Sequence, residues 1–248
     1  MQKNIASFPN LPSDNATENI LSLSPHRKGL ISVLYNQICN ISPQSLQETR
    51  KLWEEDLGEV MREDQWEAAL DLVHTSSPCA RHSLIQLKIL LRVHWTRAKL
   101  AKIFPDVDPS CPRCKSQPAD HIHMFWSCPF LRTFWADIFH AYSTMFGVVI
   151  PPNPWCAIFS FTDEISSLKG RAHVVIAFTS LLARRLILLL WKEQTPPTFS
   201  RWIRETMSLL KLEKIRYTLK GSIQSFERTW TPFLSYYESI QSPLQEKD

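Results

Sequence analysis

The sequence predicts a mainly α fold in the form of an irregular helical bundle. Over most of the chain, apolar residues recur three and four positions apart, which is the period of a helix that buries one face. No segment sustains the period-two alternation of a half-buried strand. With 248 residues and 44% apolar content the chain can bury a sizeable core, and its 17 prolines divide that core into short elements.

Changes in composition along the chain predict five parts. The beginning of the chain is rich in Asn, Ser and Pro and lacks apolar periodicity, as a flexible leader does. Two helical parts then flank a central segment that is rich in proline and cysteine. The predicted parts are a flexible leader at 1–24, an N-terminal helical part at 25–104, a knuckle segment at 105–147, a C-terminal helical part at 148–240 and a flexible tail at 241–248.

Local signals place helices in the N-terminal helical part. Ser42 followed by Pro43 is a typical start, because Pro has no N–H to lose at the first helical position. Thr96 is expected to cap the second of two helices in the apolar and basic stretch 84–103. The helices predicted in this part cover residues 30–38, residues 43–53, residues 64–74 and two pieces of 84–103.

The C-terminal half of the chain shows similar signals. Helices are predicted after Pro129, over 167–191, from Thr198 and around 226–237, with stops at Gly147 and Gly221. Two arginines interrupt the most apolar stretch, 174–191, which favours a buried core helix over a membrane span. The helix that begins near Thr198 is apolar on two faces, so it is expected to lie sandwiched in the core.

Several enzyme classes lack their sequence signatures in this chain. The five glycines are too widely spaced for a phosphate-binding loop, and no Asp-Asp pair, Gly-x-Ser-x-Gly elbow or His-Glu-x-x-His motif is present. A non-catalytic protein is therefore expected. The N-terminus has no apolar signal region, so we expect an intracellular protein, nuclear or cytoplasmic and without a membrane partner, whose thiols stay reduced.

The strongest local signal is a group of cysteines and histidines within 111–128. Cys111 and Cys114 form a Cys-x2-Cys pair, and Cys128 together with one histidine would complete a tetrahedral shell for Zn²⁺. A shell of four protein ligands has no open position, so the site would be structural rather than catalytic. The predicted fold is thus a helical bundle stapled by one Cys-Cys-His-Cys zinc knuckle within residues 105–147.

Two histidines compete for the fourth position of this shell. His121 and His123 would lie about 200° apart on a helix, so only one of them can face the metal. His123 is preferred because it is closer to Cys128, and His121 stays the alternative. Cys128 precedes Pro129, so its thiol is expected at a helix N-terminus, where its pKa would be lowered. The remaining cysteines, Cys39, Cys79 and Cys156, are expected to be packed thiols.

Basic residues are concentrated in two stretches of the chain. Residues 81–102 contain six Lys and Arg residues and no acidic residue, and residues 184–220 contain further cations. Clustered Lys and Arg supply contacts to phosphates, so a surface for RNA or DNA is predicted on these stretches. The candidate nucleic-acid-binding residues are Arg81, Lys88, Arg92, Arg97, Lys99, Lys102, Arg184, Arg185, Lys211 and Lys214.

The cysteine motif and its surroundings resemble a known family. The run Cys111-Pro112-Arg113-Cys114, then His123-Met124-Phe125-Trp126-Ser127-Cys128 and Phe134-Trp135, is similar to the Cys-Cys-His-Cys segment near the C-terminus of reverse transcriptases from LINE-type, non-LTR retrotransposons. Upstream and downstream runs extend the resemblance to fish LINE polyproteins over about residues 24–238. These runs include Trp53-Glu54-Glu55-Asp56-Leu57-Gly58, Leu181-Leu182-Ala183-Arg184-Arg185-Leu186 and Trp202-Ile203-Arg204.

The resemblance implies a detached C-terminal portion, a reverse-transcriptase zinc-binding domain. In that family the endonuclease and polymerase domains precede this region, and this chain contains neither, so it is expected not to be an enzyme. The resemblance further implies Zn²⁺ as cofactor and the RNA of the element as partner, together with the polymerase part of the same polyprotein. The alternative is a protein-interaction module or a retroelement relic that binds no nucleic acid.

Overall fold

The structure is a computed structural model that describes residues 44–161, 168 and 171–241. Within these residues the secondary structure is helical and contains no strand, which confirms the mainly α prediction. A π-helical turn (His123–Ser127) and a 3₁₀ turn (Pro129–Leu131) precede the α-helix that begins at Arg132. The α-helices are α1 (Gln44–Leu57), α2 (Glu63–Thr75), α3 (Ala80–Leu90), α4 (Arg97–Ile103), α5 (Arg132–Phe146), α6 (Pro154–Phe159), α7 (Ala172–Leu189), α8 (Phe199–Leu219) and α9 (Ile223–Gln241).

The chain divides into two units, Met1–Leu52 and Trp53–Asp248. Of the first unit the structure describes residues 44–52, which begin α1, and the fold set out below is that of the second unit. The boundaries expected after residues 104 and 147 both fall inside the second unit. The leader, the helix expected over 30–38, Cys39, the Ser42-Pro43 start and residues 242–248 of the tail lie outside the described residues.

Helix ends in the second unit follow the local sequence signals. Thr96 Oγ1 accepts a hydrogen bond from the backbone N–H of Lys99 at 3.2 Å, so Thr96 caps α4, and Thr198 caps α8 in the same way. Gly147 and Gly221 follow α5 and α8 with φ of +66° and +64°. Glycine adopts this left-handed conformation without the steric cost that a side chain would add. The predicted cap at Thr96, the predicted helix start near Thr198 and the predicted stops at Gly147 and Gly221 are confirmed.

Helix α7 is the central helix of this unit. It contacts α3, α6, α8, α9 and the π-helical turn, and 13 of its 18 residues are buried. By length and composition alone α7 could cross a membrane, but 72% of it is buried inside the protein. Such burial is typical of a core helix, as the sequence predicts. A helix with neighbours on several sides must be apolar around most of its circumference, which explains its composition.

Buried tryptophans connect the helices through their indole N–H groups. A buried indole needs a hydrogen-bond acceptor, and three of them find a backbone carbonyl on a different element. These bonds join α1 to α3, α5 to the π-helical turn, and α8 to α7. They run from Trp53 to Leu90, from Trp135 to Phe125 and from Trp202 to Thr179, at 3.0, 2.8 and 2.9 Å.

The prediction that α8 is sandwiched between two apolar surfaces is wrong. Ile203 and Leu210 are buried, but Leu212, Ile215 and Leu219 on the other face are exposed, with Leu219 at 83%. The C-terminal half of α8 therefore presents an apolar edge at the surface of the described structure. The apolar period of a helix reports which residues share a face, and it does not report whether a neighbour covers that face.

Candidate metal centre

The first two cysteines of the motif lie in a tight turn that follows α4. The backbone N–H of Lys115 donates to the carbonyl oxygen of Cys111 at 2.9 Å, and the N–H of Cys111 donates to that of Ser116 at 3.0 Å. Lys115 adopts the left-handed conformation with φ of +63°, which closes the turn. The Cys-x2-Cys spacing thereby brings the sulfur atoms of Cys111 and Cys114 within 4.8 Å of each other.

The other two members of the motif lie at the two ends of the π-helical turn. Asp120 Oδ1 accepts a hydrogen bond from the backbone N–H of His123 at 2.8 Å, which fixes the start of the turn. Cys128 follows its last residue in an extended conformation, directly before the 3₁₀ turn that begins at Pro129. Turns of π type are rare and frequently occur at functional sites.

The four side chains form one cluster. The Sγ atoms of the three cysteines and a ring nitrogen of His123 all lie within 4.8 Å of one another. Cys111 Sγ is 3.9 Å from Cys128 Sγ, and Cys114 Sγ is 3.2 Å from His123 Nε2. In a tetrahedral zinc site two sulfurs are about 3.8 Å apart, and a sulfur and a nitrogen about 3.5 Å. The donor atoms and their spacing therefore fit a divalent metal ion such as zinc.

The cluster is buried and its cysteines are free thiols. Cys111, Cys128 and His123 are buried, and Cys114 is half-buried. The 3.9 Å between Cys111 and Cys128 is nearly twice the S–S bond length of a disulfide, about 2.05 Å. Four donors converge on one point, so the cluster could surround an ion on all sides. Such a closed shell has the form of a structural metal site.

Burial and local hydrogen bonds act in opposite directions on the pKa values of Cys128 and Cys114. It raises the pKa of Cys128 to about 12, although the backbone N–H of Phe130 acts in the opposite direction. The expectation of a lowered pKa at Cys128 is therefore wrong for the free thiol, because burial outweighs the helix N-terminus. Partial burial acts to raise the pKa of Cys114, but hydrogen bonds from the hydroxyl and backbone N–H of Ser116, together with those to Cys111 and Cys128, leave this pKa below its usual value. A cation that enters the cluster must displace thiol protons, so binding releases protons.

The structure separates the two candidate histidines. His123 belongs to the cluster, and burial lowers its pKa, which favours the neutral imidazole that binds metals. His121 is buried outside the cluster, where burial and then the positive charges of Lys99 and Arg92 lower its pKa to about 3. The preference for His123 as the metal-ligating position agrees with this arrangement, and His121 has a packing position instead.

The two histidines are expected to respond differently to truncation. His123→Ala should weaken zinc binding at least about a hundredfold, because the shell loses one of its four ligands. His121→Ala should leave zinc affinity within about threefold while lowering the free energy of unfolding by about 1–3 kcal/mol, because it empties a buried site. Competition titration with a chromophoric chelator and urea denaturation measure the two effects. A larger loss of zinc affinity in His121→Ala would move the ligand to His121.

The prediction that Arg184 binds nucleic acid is wrong. Arg184 on α7 is 1% exposed, and its guanidinium donates to Ala157 O at 2.6 Å and to Gln86 Oε1 at 2.7 Å. Burial lowers its pKa to about 10, which leaves it positively charged at neutral pH. Arg184 therefore joins α7 to α3 and α6 in the core, where no phosphate can reach it. A count of charges along the sequence cannot distinguish this arginine from a surface cation.

Three further predicted cations are engaged in contacts within the fold. Arg92 lies over the ring of Trp53, 4.5 Å from its centroid, and pairs with Asp56 at 2.6 Å. Lys99 donates to the backbone carbonyl of Arg92, and Arg185 pairs with Glu205 at 3.0 Å. The prediction that Arg92, Lys99 and Arg185 serve mainly as phosphate contacts is not supported by these positions, because each already has a partner.

The other predicted cations lie at the surface. Arg97 is half-buried and the rest are exposed, and none of the six forms an ion pair with another described residue within 4 Å. Trp95, between α3 and α4, is 62% exposed, although tryptophan is normally largely buried. Trp95 is not among the residues predicted for this surface, although its position among the cations of 81–102 is visible in the sequence. The six surface cations are Arg81, Lys88, Arg97, Lys102, Lys211 and Lys214.

No protein-family model matches the chain. Its functional assignment therefore rests on the geometry of its own residues, above all on the cluster of Cys111, Cys114, His123 and Cys128.

Proposed function

We propose that the chain is a non-catalytic, zinc-binding and RNA-binding module, the C-terminal module of a LINE-type non-LTR retrotransposon reverse transcriptase. The observation that carries the proposal is the Cys₃His cluster, because it combines the ligand types and the order of the Cys-Cys-His-Cys segment in that family. The residues described here would contribute by binding and positioning nucleic acid rather than by catalysis.

The proposed zinc has a structural role. It would connect the tight turn at Cys111 and Cys114 with both ends of the π-helical turn. With all four positions filled by protein, the ion would have none left for water or substrate. Zinc would thus supply a rigid link between the two turns.

The segment between Cys114 and Cys128 also packs against the start of α4 and the connection that precedes it. The backbone N–H of Ala98 donates to Ala119 O at 3.2 Å, and the ring centroids of His94 and Phe125 lie 6.0 Å apart. Ala119 and Phe125 belong to the segment between Cys114 and Cys128. A metal bound there would therefore hold the cations of α3 and α4 on a fixed surface, so RNA could bind without first ordering a loop.

The proposed RNA surface combines cations with an exposed aromatic ring. Lys88 on α3 and Arg97 and Lys102 on α4 would contact phosphates, which gives affinity without sequence preference. Trp95 lies between the two helices and exposes an indole that could stack on an unpaired base. Stacking of this kind contributes about 1–3 kcal/mol per base. Single-stranded or looped RNA is the substrate class that uses both features.

Reversal of three charges tests this surface. In the triple variant Lys88→Glu, Arg97→Glu and Lys102→Glu we expect RNA affinity to fall at least about tenfold for all sequences. The slope of log K against log salt should become shallower by about 2, since each phosphate contact on a single strand contributes roughly 0.7. Fluorescence anisotropy of a labelled RNA across a salt series measures both quantities, and zinc content should not change.

A matched control separates the proposed surface from net charge. Lys192, Arg204 and Arg228 are exposed, and their reversal to Glu changes the net charge by the same amount. The control should lose much less affinity than the test variant. Equal losses in both variants, or no loss in the test variant, would overturn the assignment of the RNA surface to α3 and α4.

A protein-interaction module is the second candidate function, and the exposed edge of α8 favours it. Leu212, Ile215 and Leu219 form an exposed apolar strip, and a surface hollow of about 400 Å³ lies along it. A nucleic-acid surface has no need of such a strip, whereas a protein partner, such as the polymerase part of the same polyprotein, would cover it. Absence of any RNA binding at low salt would favour this function over the first. The hollow is lined by Lys211, Lys214, Ile215, Thr218 and Leu219.

A further inference from the structure

Arg113 lies between the two cysteines of the Cys-x2-Cys turn and is only 5% exposed. Its Nη2 donates to Leu190 O at 2.8 Å and to Ile187 O at 3.3 Å. Its guanidinium lies 5.3 Å from the ring centroid of Trp191. Arg113 thereby attaches the Cys-x2-Cys turn to the C-terminal end of the central helix α7, 74 to 77 residues further along the chain.

The end of α7 is a suitable place for a cation. The last carbonyl groups of a helix have no acceptor role within the helix, and they carry the negative end of its dipole. Arg113 donates to the carbonyl at the C-cap, Leu190, and to a second one in the last turn. In helix α7 itself the last turn contains no basic residue. The cation that stabilises this helix end therefore comes from the Cys-x2-Cys turn.

The Arg113 guanidinium also lies near the cysteines, and the thiol of Cys128 is close enough to interact with it. Its Nε and Nη1 are buried, and neither makes a hydrogen bond of good geometry with another described residue. Burial lowers the pKa of Arg113, whereas the neighbouring thiols of Cys128 and Cys111 act in the opposite direction. Buried N–H donors without an acceptor are costly, and the nearby sulfur atoms become strong acceptors once they are thiolates.

The positive charge of Arg113 could balance the net charge of a metal-bound cluster. A divalent ion with three thiolates and one neutral imidazole carries a net charge of −1, and an uncompensated buried charge is strongly unfavourable. Arg113 is the buried cation beside the cluster. We propose that Arg113 is a positioning residue of the metal centre, which neutralises the bound Cys₃His centre and transmits metal occupancy to the C-terminal end of α7. This inference rests on the metal binding proposed above.

Metal affinity and the spectrum of the Co²⁺-loaded chain test the first half of this inference. Arg113→Gln should weaken Zn²⁺ and Co²⁺ binding by about 10- to 100-fold. The thiolate-to-cobalt charge-transfer band should move to longer wavelength, because sulfur that loses an N–H donor gives up electrons more easily. Arg113→Lys keeps the charge and should recover most of the affinity. A residue that only capped α7 would leave the band unchanged.

Lys115→Gln is the matched control for the loss of charge. Lys115 follows Cys114 directly, but its side chain is exposed, so solvent screens its charge from the cluster. We expect this control to change metal affinity by no more than about twofold. If Arg113→Gln binds metal as tightly as the wild type with an unshifted band, the role of Arg113 is overturned while the metal site stands. If the wild-type chain binds no metal, the proposed function itself fails.

Hydrogen exchange tests the second half of the inference. In the wild-type chain, metal loading should slow amide exchange at residues 187–191, although these residues supply no ligand. In Arg113→Gln the slowing at 187–191 should largely disappear at saturating metal, while the slowing within 111–128 persists. Equal protection of 187–191 in wild type and variant would overturn the coupling.

Discussion

We expect Cys111→Ser and Cys128→Ser each to abolish stoichiometric zinc binding and to lower the thermal stability of the chain. Either change removes one of four ligands from the cluster and leaves the remaining thiolates without a charge-balancing cation. Binding of zinc to the folded state alone stabilises it by about 4 kcal/mol when free zinc exceeds its dissociation constant a thousandfold. For a unit of this size, that corresponds to a rise in Tm of roughly 8–16 °C.

Zinc per chain, measured by atomic emission, and Tm with and without chelator are the two readouts. The wild-type chain should contain one zinc, and the chelator should lower its Tm to that of the serine variants. Cys79→Ser is the matched control, because Cys79 is a free thiol at the N-cap of α3 that does not belong to the cluster. Equal zinc content in the Cys111, Cys128 and Cys79 variants would contradict the metal site.

We expect Arg184→Ala to lower the free energy of unfolding by about 3–5 kcal/mol. The substitution empties the space of a large buried side chain, and it leaves Ala157 O and Gln86 Oε1 without their donor. Arg184→Met fills most of that space and carries no charge that must be buried, so it should cost clearly less. Urea denaturation followed by tryptophan fluorescence measures these differences.

The adjacent arginine provides the control for this prediction. Arg185 is partly exposed and pairs with Glu205, so Arg185→Ala should cost no more than about 1 kcal/mol. The RNA affinity of folded Arg184→Met should equal that of the wild type, since the side chain is out of reach of phosphates. A stable Arg184→Ala variant with weakened RNA binding would contradict the core position of Arg184.

Features that depend on neighbours in sequence were predictable. Thr96 and Thr198 cap helices through hydrogen bonds to residues three positions ahead, and Gly147 ends α5 through its own backbone conformation. The metal cluster belongs to the same class, because Cys111 and Cys128 are separated by only 17 positions. The tight turn and the π-helical turn bring all four side chains together within that short stretch.

Features that depend on distant partners were not predictable from the same signals. Arg184 is buried because Gln86, 98 positions earlier, and the carbonyl of Ala157 accept its hydrogen bonds. In the sequence Arg92 is one of the six cations of the basic stretch 81–102, but in the structure it stacks on Trp53, 39 positions earlier. The pKa of Cys128 follows its burial by the whole fold rather than the local helix start. In each case the sequence shows the charge or thiol, while tertiary packing determines its environment.

The compactness of the Cys₃His cluster along the chain bears on the order of folding. Closing the 17-residue separation between Cys111 and Cys128 costs about 1.5 kcal/mol less chain entropy than the 98-residue separation between Gln86 and Arg184. During synthesis, Leu189 at the end of α7 follows Cys128 by about 60 residues, or roughly 3–12 s at 5–20 residues per second. A metal ion could thus occupy the cluster before the central helix exists. The segment that carries Arg113 would then already be folded when α7 is synthesised, and Arg113 could bind the C-terminal end of that helix at once.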